Sequence, residues 1–359
     1  MMRRSMIVSL LLAALLVVSC SGPRLGSQRP GNPAQPPGSA PQATEDLRSS
    51  PPSNPAQTPL PAGVLASIAV LHGDAPGGMA VGFGSVWVES HRGTHLYRID
   101  PDSDRVIAQI DLGQEACGVP GIGYGRVWVP PCSDGTRTSV IDPETNQVVG
   151  SYEGGIIETA FVDGSVWTST PTTIDGTFLR IDPTSLQVTS TTHVGRWPVL
   201  AVEGDGFIWV ADGDPLDPSR GSISKVDPAT GLVVATLSPP SPGGSAMLRF
   251  AFGALWLKGS DDPRLLRIDP LSGAVTTYMI AGYNGMSQFF DANPVEGLGS
   301  LWVRIADGTV ARIDPANGTV TGTYPADPAG GGGEVAVAFG SLWVANFATD
   351  TIWRVRIQG

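Results

Sequence analysis

Four histidines and a short set of carboxylates are the side chains of this sequence whose types and spacing could do chemistry. His91 and His95 stand four apart, with Asp74 and Glu89 nearby in the chain, and a His-x3-His pair flanked by carboxylates is a spacing that divalent metals use. A second acidic group, Asp212, Asp214, Asp217, Asp261 and Asp262, offers hard oxygen donors of the kind Ca2+ takes. Both groups also have a plainer reading. Nothing predicts a helix around His91, and Asp beside Pro and Gly is the composition of solvated Asx turns. The turn reading is preferred, no cofactor is expected, and a divalent metal is the one addition that these residues could hold.

Other templates fail on their context. "DPDSD" at 100–104 opens like a calcium loop, but Arg105 stands where that loop needs its Gly. "GVPGIGYG" is followed by a turn and a strand rather than a helix, so it is no dinucleotide fingerprint. There is no G-x-S-x-G, no zinc-type Cys cluster and no Walker loop. A net charge of −11 would repel nucleic acid, and no nucleic-acid partner is expected.

The elements that must position any site are legible as a repeat. A phrase ending in Val, Leu or Ile and then Trp places Trp at 87, 128, 167, 209, 256, 302 and 343. An Asp-Pro phrase follows six of them, at Asp100, Asp142, Asp182, Asp227, Asp269 and Asp314. Within one copy, four short runs rich in β-branched and aromatic residues alternate with Gly, Pro, Asp and Ser. Each copy therefore reads as a four-stranded antiparallel meander. A period near 40 residues with four strands per period predicts an all-β fold, a seven-bladed β-propeller. The seventh copy stops after its third strand, and residues 64–71 match the missing fourth, so an N-terminal strand is expected to join the last blade and close the ring.

The recurring residues are read as structure. Asp before Pro opens a turn, and the Ser of the Trp phrase (Ser85, Ser165, Ser300, Ser341) is replaced elsewhere by Arg126, Phe207 and Ala254, an exchange no nucleophile tolerates. Six copies carry a cation two before the turn Asp, at Arg98, Arg180, Lys225, Arg267, Arg312 and Arg354, with Val140 the exception. A cation beside each Trp predicts stacking or ion pairing that ties blades together.

"WVAN" at 343–346 and the "IDPxTG"-like turns resemble the YVTN-type repeats of seven-bladed propellers, relatives of the lactonase-like and streptogramin-lyase-like propellers. The resemblance spans 63–359 and implies the fold. It leaves activity open, because that group includes binding proteins, surface modules and a few enzymes. A lyase-like site would need a His and a Glu facing a metal over the axis. His193 with Glu158 or Glu334 could supply such a pair, but no motif matches residue by residue.

Function is then sought where the copies differ. In a four-stranded blade the loops between strands two and three, and from one blade to the next, share one rim, whereas the uniform hairpins occupy the other. The variable rim is the expected binding face. Its candidates are Glu89, His91, Arg92, Glu115, Glu158, Arg196, Trp197, Asp212, Arg249, Lys258, Asp291, Arg304, Glu334 and Asn346. Binding of a protein or a cell-envelope ligand by a monomer is the expected role. A metal-assisted lyase or hydrolase is the alternative.

The N-terminus predicts where this happens. "MMRR" and the apolar run from Met6 to Ser19, too short at ~21 Å to span a ~30 Å hydrocarbon core, read as a signal peptide over 1–19. "VVSC" resembles the lipobox of bacterial lipoproteins, which implies lipidation of Cys20 and a membrane anchor outside the cytoplasm. Residues 20–62 are Pro-rich, without aromatics, and are expected to be a disordered tether before the propeller at 63–359. Cys117 and Cys132 are left in an oxidising compartment. A tight turn at Tyr124-Gly125 would set them directly opposite each other, and a disulfide between them is expected.

Overall fold

The computed structural model describes residues 59–116, 118–132, 137–155, 158–170, 176–213, 221–241, 246–259, 262–284 and 293–358. These form seven four-stranded antiparallel sheets, the seven-bladed propeller that the repeat predicts. In blade 1 the strands are Pro76–Gly82, Ser85–Ser90, His95–Asp100 and Arg105–Asp111. The second strand is buried along its whole length, while the fourth alternates between exposed and partly covered residues. Neighbouring blades cover both faces of the inner strands, whereas the outermost strand meets solvent.

The repeated Trp organises each blade. All seven are fully buried, and six donate their indole N–H to the carbonyl five residues earlier (Gly82, Gly123, Gly204, Ala251, Gly297 and Ala338) at 2.9–3.2 Å. That bond locks the hairpin of strands one and two. Its turn is a pair of residues with positive φ, such as Phe83 (52°) and Gly84 (69°), the geometry that suits a two-residue hairpin.

The recurring cations lie across from the Trp in register, as in Trp87↔Arg98 and Trp343↔Arg354. Arg98, Arg180, Arg312 and Arg354 sit 4.9–5.6 Å from the ring centroids. Each donates through Nε to the Ser that precedes its Trp by two, at 2.8–2.9 Å. Two of the three exchanges of that Ser follow from this pairing; Ala254, whose copy keeps Arg267, is not explained by it. Where Lys225 replaces Arg, Phe207 lies under its ammonium at 3.7 Å; where Val140 removes the cation, Arg126 occupies the Ser position and pairs with Asp142 at 3.2 Å. Two cations also cross seams: Arg98 donates to the Pro143 carbonyl at 2.6 Å, and Arg354 to Asp104 at 2.9 Å.

The Asp-Pro phrases are Asx turns. Each of the six carboxylates accepts the backbone N–H two residues on, at 2.8–3.2 Å.

Closure is as expected, with a shorter strand. Val64–Ala69 pairs antiparallel with Thr351–Val355 and completes blade 7. The strand stops two residues before the predicted end because Asp350 clasps the next segment, accepting from Gly73 N–H (2.8 Å) and Ala75 N–H (2.9 Å) and pairing with His72 (2.9 Å). No helix among the described residues is long and apolar enough to cross a membrane.

Candidate binding site at the axial mouth

The innermost strands (Pro76–Gly82, Gly121–Gly123, Ala160–Val162, Pro198–Gly204, Ala246–Ala251, Val295–Gly297 and Val335–Ala338) line a central channel of about 460 Å3. Each Trp fixes the level of one channel residue by register: Ala80, Gly121, Ala160, Val202, Arg249, Val295 and Ala336. Six are small or aliphatic, and Arg249 is the exception. Two residues earlier in each copy, toward the variable rim, stand Gly78, Val119, Glu158, Leu200, Met247, Asn293 and Glu334. Three polar residues of this layer and the guanidinium below it therefore share the mouth of the channel.

Their contacts leave acceptors over. Arg249 pairs with Glu158 through Nη1 at 3.0 Å and donates through Nε to the Pro294 carbonyl at 3.1 Å. Glu334 accepts from Met79 N–H and Asn293 Nδ2, each at 3.4 Å. Glu89, from the second strand of blade 1, accepts the Gly78 N–H at 2.6 Å. One carboxylate oxygen each of Glu158 and Glu89, and the side-chain oxygen of Asn293, are buried without a hydrogen-bond donor.

Burial dominates the electrostatics. It lifts the Glu334 carboxyl to about 8, with repulsion from Glu158 adding to the rise and Arg249 opposing it. Burial likewise pushes Glu89 well above the usual carboxylate range, against the Gly78 hydrogen bond. Glu158 is raised by burial and held back by Arg249. The mouth thus concentrates three carboxyl groups around one guanidinium.

The other sequence candidates fall elsewhere. His91 and His95 do not form a metal pair: His95 bonds Asp74 at 2.7 Å, while His91 lies edge-on to Phe347 at 5.3 Å and 4.0 Å from Glu89. Among the described residues no three His, Cys, Asp or Glu side chains group as metal ligands. Burial lowers the His91 ring to about 4, with Arg92 adding to the drop. Arg92 stacks over Phe347 at 4.6 Å, so this loop seals blade 1 against blade 7. His193 lies on the exposed outermost strand of blade 3, away from Glu158 and Glu334.

Lys258 and Arg304 are buried and donate to backbone carbonyls, those of Gly259 and Asp262 and those of Asp307 and Ala345 respectively. Asn346 holds the Asp327 N–H at 3.1 Å. Asp212 is buried against Ser224 (2.7 Å) and Ser222 (3.2 Å), and burial lifts it to about 7. Asp262 bonds Arg264 at 2.8 Å. Glu115 and Arg196 are exposed, and Trp197 adopts a left-handed φ of 54° with its carbonyl bound by Gly213 N–H. Asp214, Asp217, Asp261, Asp291, Cys20 and Cys117 lie outside the described residues.

At the cysteine hairpin the expected register holds over Gly121–Gly123 and then shifts. Ala116 bridges Pro131, and Cys132 N–H donates to Glu115 at 3.2 Å. The position across from Cys132 is therefore Glu115, two residues from the expected one, because the Pro130-Pro131 step interrupts the ladder. A wider groove of about 680 Å3 lies between blade 6 and the closing strand. None of its lining residues has a buried side-chain atom without a partner.

No family model and no curated protein matches the chain. Solved propellers do match its backbone. Virginiamycin B lyase from Staphylococcus aureus aligns with a TM-score of 0.65 at 17% identity, over 82% of this chain and 99% of that one. A streptogramin B lyase structure aligns at 0.63 and 15%, over 82% and 97%. BamB from Moraxella catarrhalis aligns at 0.52 and 16%, over 81% and 86%. At these identities the likeness is one of fold.

Proposed function

We propose that this chain is an exported, lipid-anchored binding protein whose propeller takes a protein or cell-envelope ligand at the axial mouth of its variable rim. One observation carries the reading. The equivalent channel positions of the repeat are mostly small or aliphatic, and the copies that break the pattern, Glu158, Arg249, Asn293 and Glu334, meet at one place. Polar groups gathered at the mouth of an otherwise apolar channel are the usual makings of a ligand site. The leader, the lipobox-like "VVSC" and the Pro-rich stretch support display outside the cytoplasm, held through Cys20. Loss of fatty-acid incorporation in Cys20→Ser tests the anchor. The meeting of backbones at Ala116 and Pro131 supports a Cys117–Cys132 disulfide, and two alkylated thiols in the unreduced protein would refute it.

The binding reading is tested by cross-linking in native membranes. The wild type and a variant on the opposite rim, Asp102→Asn, are expected to retain the same cross-linked component, and Glu158→Gln/Glu334→Gln to lose it. Equal recovery by all three contradicts the proposal. The fold likeness to lyases keeps metal-assisted chemistry as the second reading. Stoichiometric divalent metal in the purified protein, lost on substituting His91 and His95 or His193, would favour it.

A further inference from the structure

The axial mouth also constrains the chemistry of what it binds, on the condition that the binding reading above holds. Arg249 already uses Nη1 on Glu158 and Nε on the Pro294 carbonyl, and the Asn293 amide N–H faces Glu334. The Thr159 hydroxyl, which also lines the channel, is unpartnered, and so are several acceptors. Glu158 and Asn293 both line the channel, both are more than nine-tenths buried, and each keeps an oxygen with no donor. Glu89 adds a third such oxygen beside Gly78. A buried acceptor left unmet costs about 1–3 kcal/mol, more if it is charged.

We infer that the ligand presents a primary ammonium group to this mouth, with N–H donors for Glu158 and Asn293 and a positive charge beside Glu334. An anionic ligand would meet three carboxyl groups around a guanidinium that is already paired. An apolar ligand would leave the same oxygens unmet. An ammonium supplies both missing quantities, three N–H donors and one positive charge.

The charges facing Glu334 are Glu158 of blade 3, Glu89 of blade 1 and Arg249 of blade 5. Because burial and Glu158 lift Glu334 to about 8, part of the cation's partner is protonated at neutral pH. Binding then releases a proton, and affinity rises by up to about tenfold per pH unit before levelling off above about pH 8.

The test is calorimetric titration of the full lipoprotein in detergent with n-butylammonium, n-butanol and butyrate. The expected result is one saturable site for n-butylammonium, at least about tenfold stronger than for either control, strengthening from pH 6.5 to 8 with proton release. Glu158→Gln and Glu334→Gln should each weaken it severalfold, while Glu153→Gln, at an exposed carboxylate on the outermost strand of blade 2 that pairs with Arg137 and does not line the channel, should not. Competition by Nα-acetyl-lysine amide would assign a protein side chain as the source, and competition by glucosamine an envelope amino sugar. No preference for the cation, or a preference that survives both mouth substitutions, overturns the inference. If ammonium does not bind but the cross-linked component is still lost in the double variant, the ligand class fails and the binding reading stands. If ammonium binds and the cross-link is unaffected, the reverse holds.

Discussion

At the scale of single residues, Glu334 shows what it costs to place a carboxyl where four other copies of the repeat put Gly, Val, Leu or Met. Its folded-state pKa lies above its unfolded value, so the folded chain binds the extra proton. The stability that goes with that proton is present at low pH and is lost as pH rises toward about 8. His91, lowered to about 4, acts the other way below its ordinary value of 6.5, so the comparison is made over pH 6.5 to 8.5, where Asp212 and Glu89, also raised by burial, add to the slope of wild type and variant alike. Over that window the wild type should lose ~2 kcal/mol through Glu334, in denaturant titrations at fixed temperature. Glu334→Gln, which imitates the protonated form, should lose much less. Identical slopes would mean that the carboxyl is ionised and solvated at neutral pH. Part of the mouth was legible in the sequence: Glu158, Arg249 and Glu334 are among the rim candidates. Asn293 was missed, although counting nine residues back from each Trp brings it into line with Glu158 and Glu334. The buried roles of Lys258, Arg304 and Asp212 were not legible. A charged residue in a loop-proximal position gives no sign that carbonyls or hydroxyls will enclose it.

At the scale of elements, the turns and the Trp hairpins carry the fold. The Asp269 carboxylate holds Leu271 N–H at 3.1 Å and Ser272 N–H at 2.7 Å, and these bonds pull its pKa down. Asp269→Ala should lower the urea midpoint of unfolding and leave ligand binding unchanged, because this turn lies on the uniform rim. A loss of binding without a loss of stability would contradict the assignment of rims. The Asp-Pro phrases, the Trp register and the cation opposite each Trp were readable because each is a local contact repeated several times over. At the cysteine hairpin only the register departs from expectation, by two residues, for the complementary reason. Two prolines break the ladder there, and a register extrapolated from the turn does not survive such a break.

At the scale of the whole molecule, closure joins residues far apart in sequence: Val64–Ala69 against Thr351–Val355, the Asp350 clasp on Gly73 and Ala75, and Arg92 over Phe347. Removing Val64–Ala69 should expose the edge of the strand Thr351–Arg356. The expected outcome is aggregation, or a broad non-cooperative melt, in light scattering and calorimetry; a soluble variant with one sharp transition would contradict the closure. The ring also decides where binding can occur, since it gathers the inner strands of all seven blades at one axis. Hydrogen–deuterium exchange of the full-length protein, with and without solubilised envelope extract, measures the working side directly. Slowed exchange at Gly77–Met79, at residues 158–160 and at 293–296, with the hairpin turns at 83–84 and 124–125 unchanged, is the result predicted here. Protection confined to those turns, or none on either rim, would contradict a ligand site at the axial mouth.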